Sequence, residues 1–145
     1  MSYGFLDIAT TPSVRAMQAE MGSAHVWEQF EGDRAFDRFG RNEMDFIAAR
    51  DSFYMATVSE TGWPYVQHRG GPAGFLTVLD ERTLAFADYR GNRQYISTGN
   101  ARANARVALI LMDYVRQARL KIFATVELLP AGPDNNLADQ VLTPG

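Results

Sequence analysis

Cysteine is absent from this chain, and histidine occurs only at His25 and His68. Without thiols there is no disulfide, no thiolate nucleophile and no thiolate metal site, and two histidines do not make a multi-histidine metal centre. A reducing compartment suits such a composition. Strong charge is missing too: the formal net charge is −3 over 145 residues, which gives no broad electrostatic footprint for nucleic acid or an anionic membrane. Any anion the protein binds must be held locally. Long apolar runs are also lacking. The densest, VALILM at residues 107–112, falls far short of a bilayer span, and the start MSYGFLDIATTPSV has neither the basic opening nor the apolar stretch of a secretion signal. The expectation is a soluble, cytoplasmic protein with no membrane or nucleic-acid partner, folded as a single domain over residues 1–145.

What is present divides into a mostly helical region, residues 1–50, and a region of alternating pattern. Thr11 before Pro12 is a helix start, and Val14, Met17 and Met21 recur at helical spacing until Gly22 stops them. Residues 23–40 carry Trp27, Phe30, Phe36 and Phe39 between glycine breaks, which predicts a short helix and a loop laid over an apolar surface, with His25 and Trp27 either a lid over a site or, more commonly, part of a covering layer of core aromatics. Asn42 is the expected cap of a further helix through Arg50, with Met44, Ile47 and Ala48 on its buried side. From Phe53 the period becomes two. FYMATVSE and PYVQHR form a hairpin about Glu60-Thr61-Gly62; GFLTVLD, TLAFAD, RVALILMD and RLKIFATVELL supply four more strands, and one helix falls at about residues 92–100. Short turns between six strands argue for an antiparallel barrel. Residues 130–145 read as a polar tail.

Two segments carry candidate chemistry. In PYVQHR, period two puts Gln67 and Arg69 on one face of the strand and His68 on the other, and the bare backbone of Gly70 and Gly71 follows. In FADYRGNRQYISTGN, a strand passes through Gly91 and Asn92 into a helix expected to open with Arg93 and Gln94, with Ser97 one turn in. A helix amino terminus offers unpaired N–H groups and a positive dipole end, and an arginine adds a forked donor, so the combination suits a phosphate. The plainer alternative is that Asn92 caps the helix and Arg93 is solvated.

Taken together, these segments resemble the pyridoxamine 5′-phosphate oxidase family of FMN-binding split barrels. Gly62, Pro64, Gly91, Arg93, Asn100, Arg106, Val107 and Leu109 fall on its pattern, over about residues 42–129. YVQHRGGP…GNRQYIS is similar to an oxidase-related, flavin-nucleotide-binding branch of that superfamily. The resemblance implies a mainly β fold with flanking helices, a six-stranded antiparallel split β-barrel. It further implies FMN as cofactor and a homodimer with FMN at the interface. The FMN contacts it implies are Gln67, His68, Arg69, Gly70, Asn92, Arg93, Gln94, Ser97 and Arg119. Met112, Asp113 and Tyr114 would lie near the cofactor on the same grounds, although a loop of solvated charge is the plainer expectation for Asp113.

The departures from the family pattern are specific. Gln67 stands where the family's oxidases have a phosphate-binding arginine and Gln94 where they have a lysine, while Arg69 offers charge from a different position; the expectation is that Arg93 and the helix start hold the phosphate and that Arg69 meets the pyrimidine edge of the flavin ring. The chain also stops soon after the last strand, where the family continues through substrate-binding elements. Three functions remain open on this reading. One is an FMN-dependent oxidoreductase acting on a small molecule that the sequence does not name, with His68 as the candidate for acid–base chemistry. Another is a flavin carrier or sensor without turnover. The third is a split barrel for a different cofactor, deazaflavin or haem, the latter with only two histidines for iron.

Overall fold

A computed structural model describes residues 4–28, 37–87 and 94–129. The chain forms two compact units, residues 1–39 and 40–145.

Among the described residues of the first unit three short helices follow one another: α1 (Phe5–Ala9), α2 (Pro12–Glu20) and α3 (Ala24–Glu28). Thr11 caps α2 as expected, its Oγ1 accepting the Val14 N–H at 3.3 Å, and Gly22, left-handed at φ +74°, ends it. Neither α1 nor α2 has a buried residue, and Met17 and Met21 stay exposed.

The second unit opens with α4 (Arg41–Ala48). Gly40, not Asn42, is its N-cap. The helix begins before Asn42, which therefore lies inside the first turn and has no end to cap. Ile47 is fully buried, Met44 is half-buried, and Ala48 faces outward, so the buried stripe is narrower than the sequence suggests.

Among the described residues six antiparallel strands follow: β1 (Ser52–Val58), β2 (Pro64–Gly70), β3 (Thr77–Asp80), β4 (Thr83–Ala85), β5 (Arg106–Asp113) and β6 (Ala118–Thr125), with α5 (Ile96–Ala103) between β4 and β5. They make a four-stranded sheet in the order β2-β1-β5-β6 and a separate β3-β4 ribbon. The expected β1–β2 hairpin forms, its turn closed by Ser59 N–H to the Trp63 carbonyl at 2.9 Å and by left-handed Gly62. The strand expected over residues 74–80 begins only at Thr77. Gly74, at φ +84°, and a bond from Phe75 N–H to the Pro72 carbonyl make the preceding residues a turn, which drops Phe75 and Leu76 into the core.

Register decides which face is buried. Phe53, Met55 and Thr57 of β1 point the same way as their partners Arg69, Gln67 and Tyr65 of β2. Val107, Leu109 and Leu111 of β5 complete that inner face, and all three are buried. The run 107–112 is continuous in apolar character, yet Ala108, Ile110 and Met112 on its other face are only half-buried. Beside them on this outer face lie Tyr54, Ala56, Val66, His68, Lys121 and Phe123.

One residue fastens α4 to the sheet. Arg50 donates from Nε to the Phe46 carbonyl at 3.1 Å, from Nη1 to the Met112 carbonyl at 3.0 Å and from Nη2 to Asp113 Oδ2 at 3.4 Å, with its guanidinium over the Phe46 ring. Asp113 is thus buried and paired, not solvated as the sequence suggests. A charge at a strand end is drawn inward here because a cation from another element meets it there.

Candidate functional site

The inner face of edge strand β2 meets the first turn of α5. Alternation along β2 turns Gln67 and Arg69 toward the helix, and Ser97, 1% exposed, stands between them. Arg69 Nη2 donates to Ser97 Oγ at 2.6 Å, and Ser97 Oγ donates to Gln67 Oε1 at 2.6 Å. A second pin lies one turn on, where Asn100 Nδ2 donates to the Thr57 hydroxyl at 3.0 Å. These bonds seat α5 on the sheet and hold two chemically active side chains over one spot.

Aromatic packing supports the arginine from the other side. Its guanidinium lies 5.3 Å from the centre of the Phe86 ring. Phe86 meets Phe53 edge-on at 5.1 Å, and Phe53 stacks on Phe75 at 5.6 Å. Gly71 belongs to this arrangement as well. A Cβ there would sit 2.8 Å from Phe75 Cγ, so the ring requires the glycine. The loop it starts is anchored by Gly71 N–H to the Asp51 carbonyl and Gly74 N–H to the Arg50 carbonyl. Gly70, in contrast, has room for a side chain, its nearest neighbour being His68 Cε1 at 3.4 Å.

The expected site residues do not all converge. Gln67, Arg69 and Ser97 are brought together. His68 and Arg119 are not: both point to the outer face, His68 on edge strand β2 and Arg119 on β6 at the opposite edge. Three strand spacings, about 14 Å, and the sheet itself lie between Arg119 and the cluster. Asn92 and Arg93 lie outside the described residues. Gln94 is described, but α5 starts at Ile96, because Tyr95 is left-handed at φ 53° and breaks the helix before it reaches Gln94. The expected opening at Gln94 is therefore displaced toward the carboxyl end, to Ile96.

On the outer face, His68 packs edge-on against Tyr54 at 5.2 Å. A hydrogen bond with the Tyr54 hydroxyl pushes the Tyr114 phenol above its ordinary range, with the Tyr54 charge adding to the effect. Tyr54 escaped notice in the sequence, although it is the residue directly opposite His68 once the hairpin register is counted back from Gly62. Among the described residues no group of three His, Cys, Asp or Glu side chains is placed to hold a metal ion, and no helix is long and apolar enough to cross a membrane.

Comparison with known proteins bears on this geometry. Residues 41–141 match the family model described as pyridoxamine 5′-phosphate oxidase. A crystal structure of a Lactobacillus delbrueckii protein, assigned provisionally as a pyridoxamine 5′-phosphate oxidase, superposes with a TM-score of 0.54. It shares 23% identity over 72% of this chain and 78% of its own. A histidine-to-alanine variant of HupZ from Group A Streptococcus also superposes at 0.54, with 15% identity over 70% of this chain and 77% of its own. At these identities the two structures speak to the fold alone. No curated protein sequence matches the chain.

Proposed function

The chain belongs to the pyridoxamine 5′-phosphate oxidase family, and from that premise we propose that it binds FMN, with the flavin's phosphate end near Gln67, Arg69 and Ser97. The observation that carries this reading is the meeting of an arginine, an amide and a hydroxyl at the first turn of α5. A phosphate monoester needs donors and a cation, and this set supplies both. Asn92, Arg93 and Gln94 precede the same helix in sequence and are assigned to the phosphate with them. A bound flavin would supply hydride and electron transfer to a small molecule. The protein's part is to hold the phosphate, to aim the ring by the backbone of β2 and to set the charge around it.

The reading extends to a homodimer with the site at its interface. Arg119 cannot reach the cluster of its own chain, so an Arg119 that contacts the cofactor must come from a second copy.

A carrier without turnover is the second reading. It is favoured by the position of His68, which lies on the far face of β2 and leaves the described part of the cluster without an imidazole. The visible spectrum of protein purified without added cofactor, followed by chromatography of what denaturation releases, tests the proposal. Yellow protein releasing the mononucleotide is expected. A deazaflavin or haem spectrum, or colourless protein that leaves added FMN fluorescence unchanged, overturns it. Steady oxidation of an added reductant separates enzyme from carrier.

A further inference from the structure

Ser97 fixes more than the position of its neighbours. A serine hydroxyl has one hydrogen, and an arginine guanidinium only donates. Because Ser97 Oγ accepts from Arg69 Nη2 at 2.6 Å, its own hydrogen goes to the remaining contact, Gln67, also at 2.6 Å. The Gln67 atom facing it must then be the carbonyl oxygen, and the amide nitrogen points the other way. Burial of Ser97 at 1% exposure keeps water from relieving this constraint. Gln67 itself is half-buried, and among the described residues its nitrogen has no hydrogen-bond partner.

We propose that Ser97 is a positioning residue that sets the polarity of Gln67, so that the amide presents its two N–H groups to an oxyanion and never its oxygen. An unconstrained glutamine flips freely and receives donors and acceptors alike. Held in this way it becomes a neutral, one-directional donor beside Arg69, selective for phosphoryl or other anionic oxygens. The inference rests on the flavin reading only for the identity of the ligand, not for its charge.

Gln67→Glu is the sharpest perturbation, because it keeps the shape and leaves only acceptors. FMN affinity should fall about tenfold or more, while affinity for riboflavin, which lacks the phosphate, stays unchanged. Ser97→Ala should reduce the FMN-to-riboflavin ratio in the same direction, and Ser97→Thr, which restores a hydroxyl, should recover it. A merely structural role would lower both affinities together. Because a substitution at buried Ser97 can also harm folding, the wild-type protein supplies an independent measurement. In ¹⁵N-labelled protein the Gln67 side-chain amide pair, identified by its loss in Gln67→Glu, should shift on titration with inorganic phosphate.

The outcomes separate the two readings. A phosphate-dependent shift without FMN binding removes the flavin and leaves the polarity of Gln67 standing. FMN binding whose ratio to riboflavin survives Gln67→Glu overturns the present inference and leaves the flavin. Neither FMN nor phosphate binding overturns both.

Discussion

Asp113→Ala tests the clamp between α4 and the sheet. The substitution removes the acceptor of Arg50 Nη2 at 3.4 Å and of the Arg116 N–H at 3.1 Å. The side chains of Arg50 and Asp113 are 15% and 10% exposed, so water replaces the lost contact poorly. Stripping a fully buried charge of its partner costs about 3–5 kcal/mol. Arg50 keeps two carbonyl acceptors, on Phe46 and Met112, which lowers that figure. Adding the orphaned Arg116 N–H, the expected loss is about 2–3 kcal/mol, or a melting temperature lower by about 4–12 °C. Arg116→Ala is the control. Its own contact with Asp113 is 3.9 Å long and its side chain is 84% exposed, so it should cost less than about 0.5 kcal/mol. Urea titrations of the two variants with a common slope make the comparison. An Asp113→Ala loss below about 0.5 kcal/mol, or an Arg116→Ala loss as large as that of Asp113→Ala, refutes the clamp.

Gly71→Ala drives a methyl into Phe75 and should cost about 1–3 kcal/mol, whereas Gly70→Ala, with open contacts, should change the midpoint little; thermal melts of both decide it. Tyr54→Phe removes the hydroxyl that holds the Tyr114 phenol up, so absorbance at alkaline pH should show Tyr114 ionising earlier than in the parent. Asp80 is held below its ordinary range by the Arg82 N–H and then by the Thr83 hydroxyl. Its ionised form therefore stabilises the β3–β4 turn above the unfolded carboxylate value, and that contribution is lost as pH falls through the lowered one. Asp80→Asn should flatten the acid limb of a stability–pH curve below about pH 4.

Much of this architecture was legible because it is local. Thr11-Pro12 and Gly22 bound α2 by rules that act within a few residues, and the turn at Gly62 sets the register that puts Gln67 and Arg69 on one face. What escaped the sequence depends on distant partners. The charge of Asp113 looks solvated until Arg50 arrives from α4, and the two glycines of RGGP look alike until the ring of Phe75 is placed against one of them. The start of α5 escaped for a different reason. Tyr95 takes a left-handed conformation that its side chain does not favour, so no residue signal marks the break. Within the candidate site the sequence supplied Gln67, Arg69 and Ser97 as names, but the hydrogen-bond order among them exists only once strand and helix meet.

Arg50 and Met112 are 62 positions apart, which bears on the order of events when the chain folds. The β1–β2 and β5–β6 hairpins each close over a short turn, and such contacts cost little chain entropy. The bond between Arg50 and the end of β5 can form only after those hairpins have found each other through the β1–β5 pairing. A contact made that late is expected to be largely missing from the transition state. Weakening it then leaves the folding rate almost unchanged and speeds unfolding. An Arg50 variant should therefore shorten the lifetime of the native state more than it slows its formation, which folding and unfolding rates measured against urea would show.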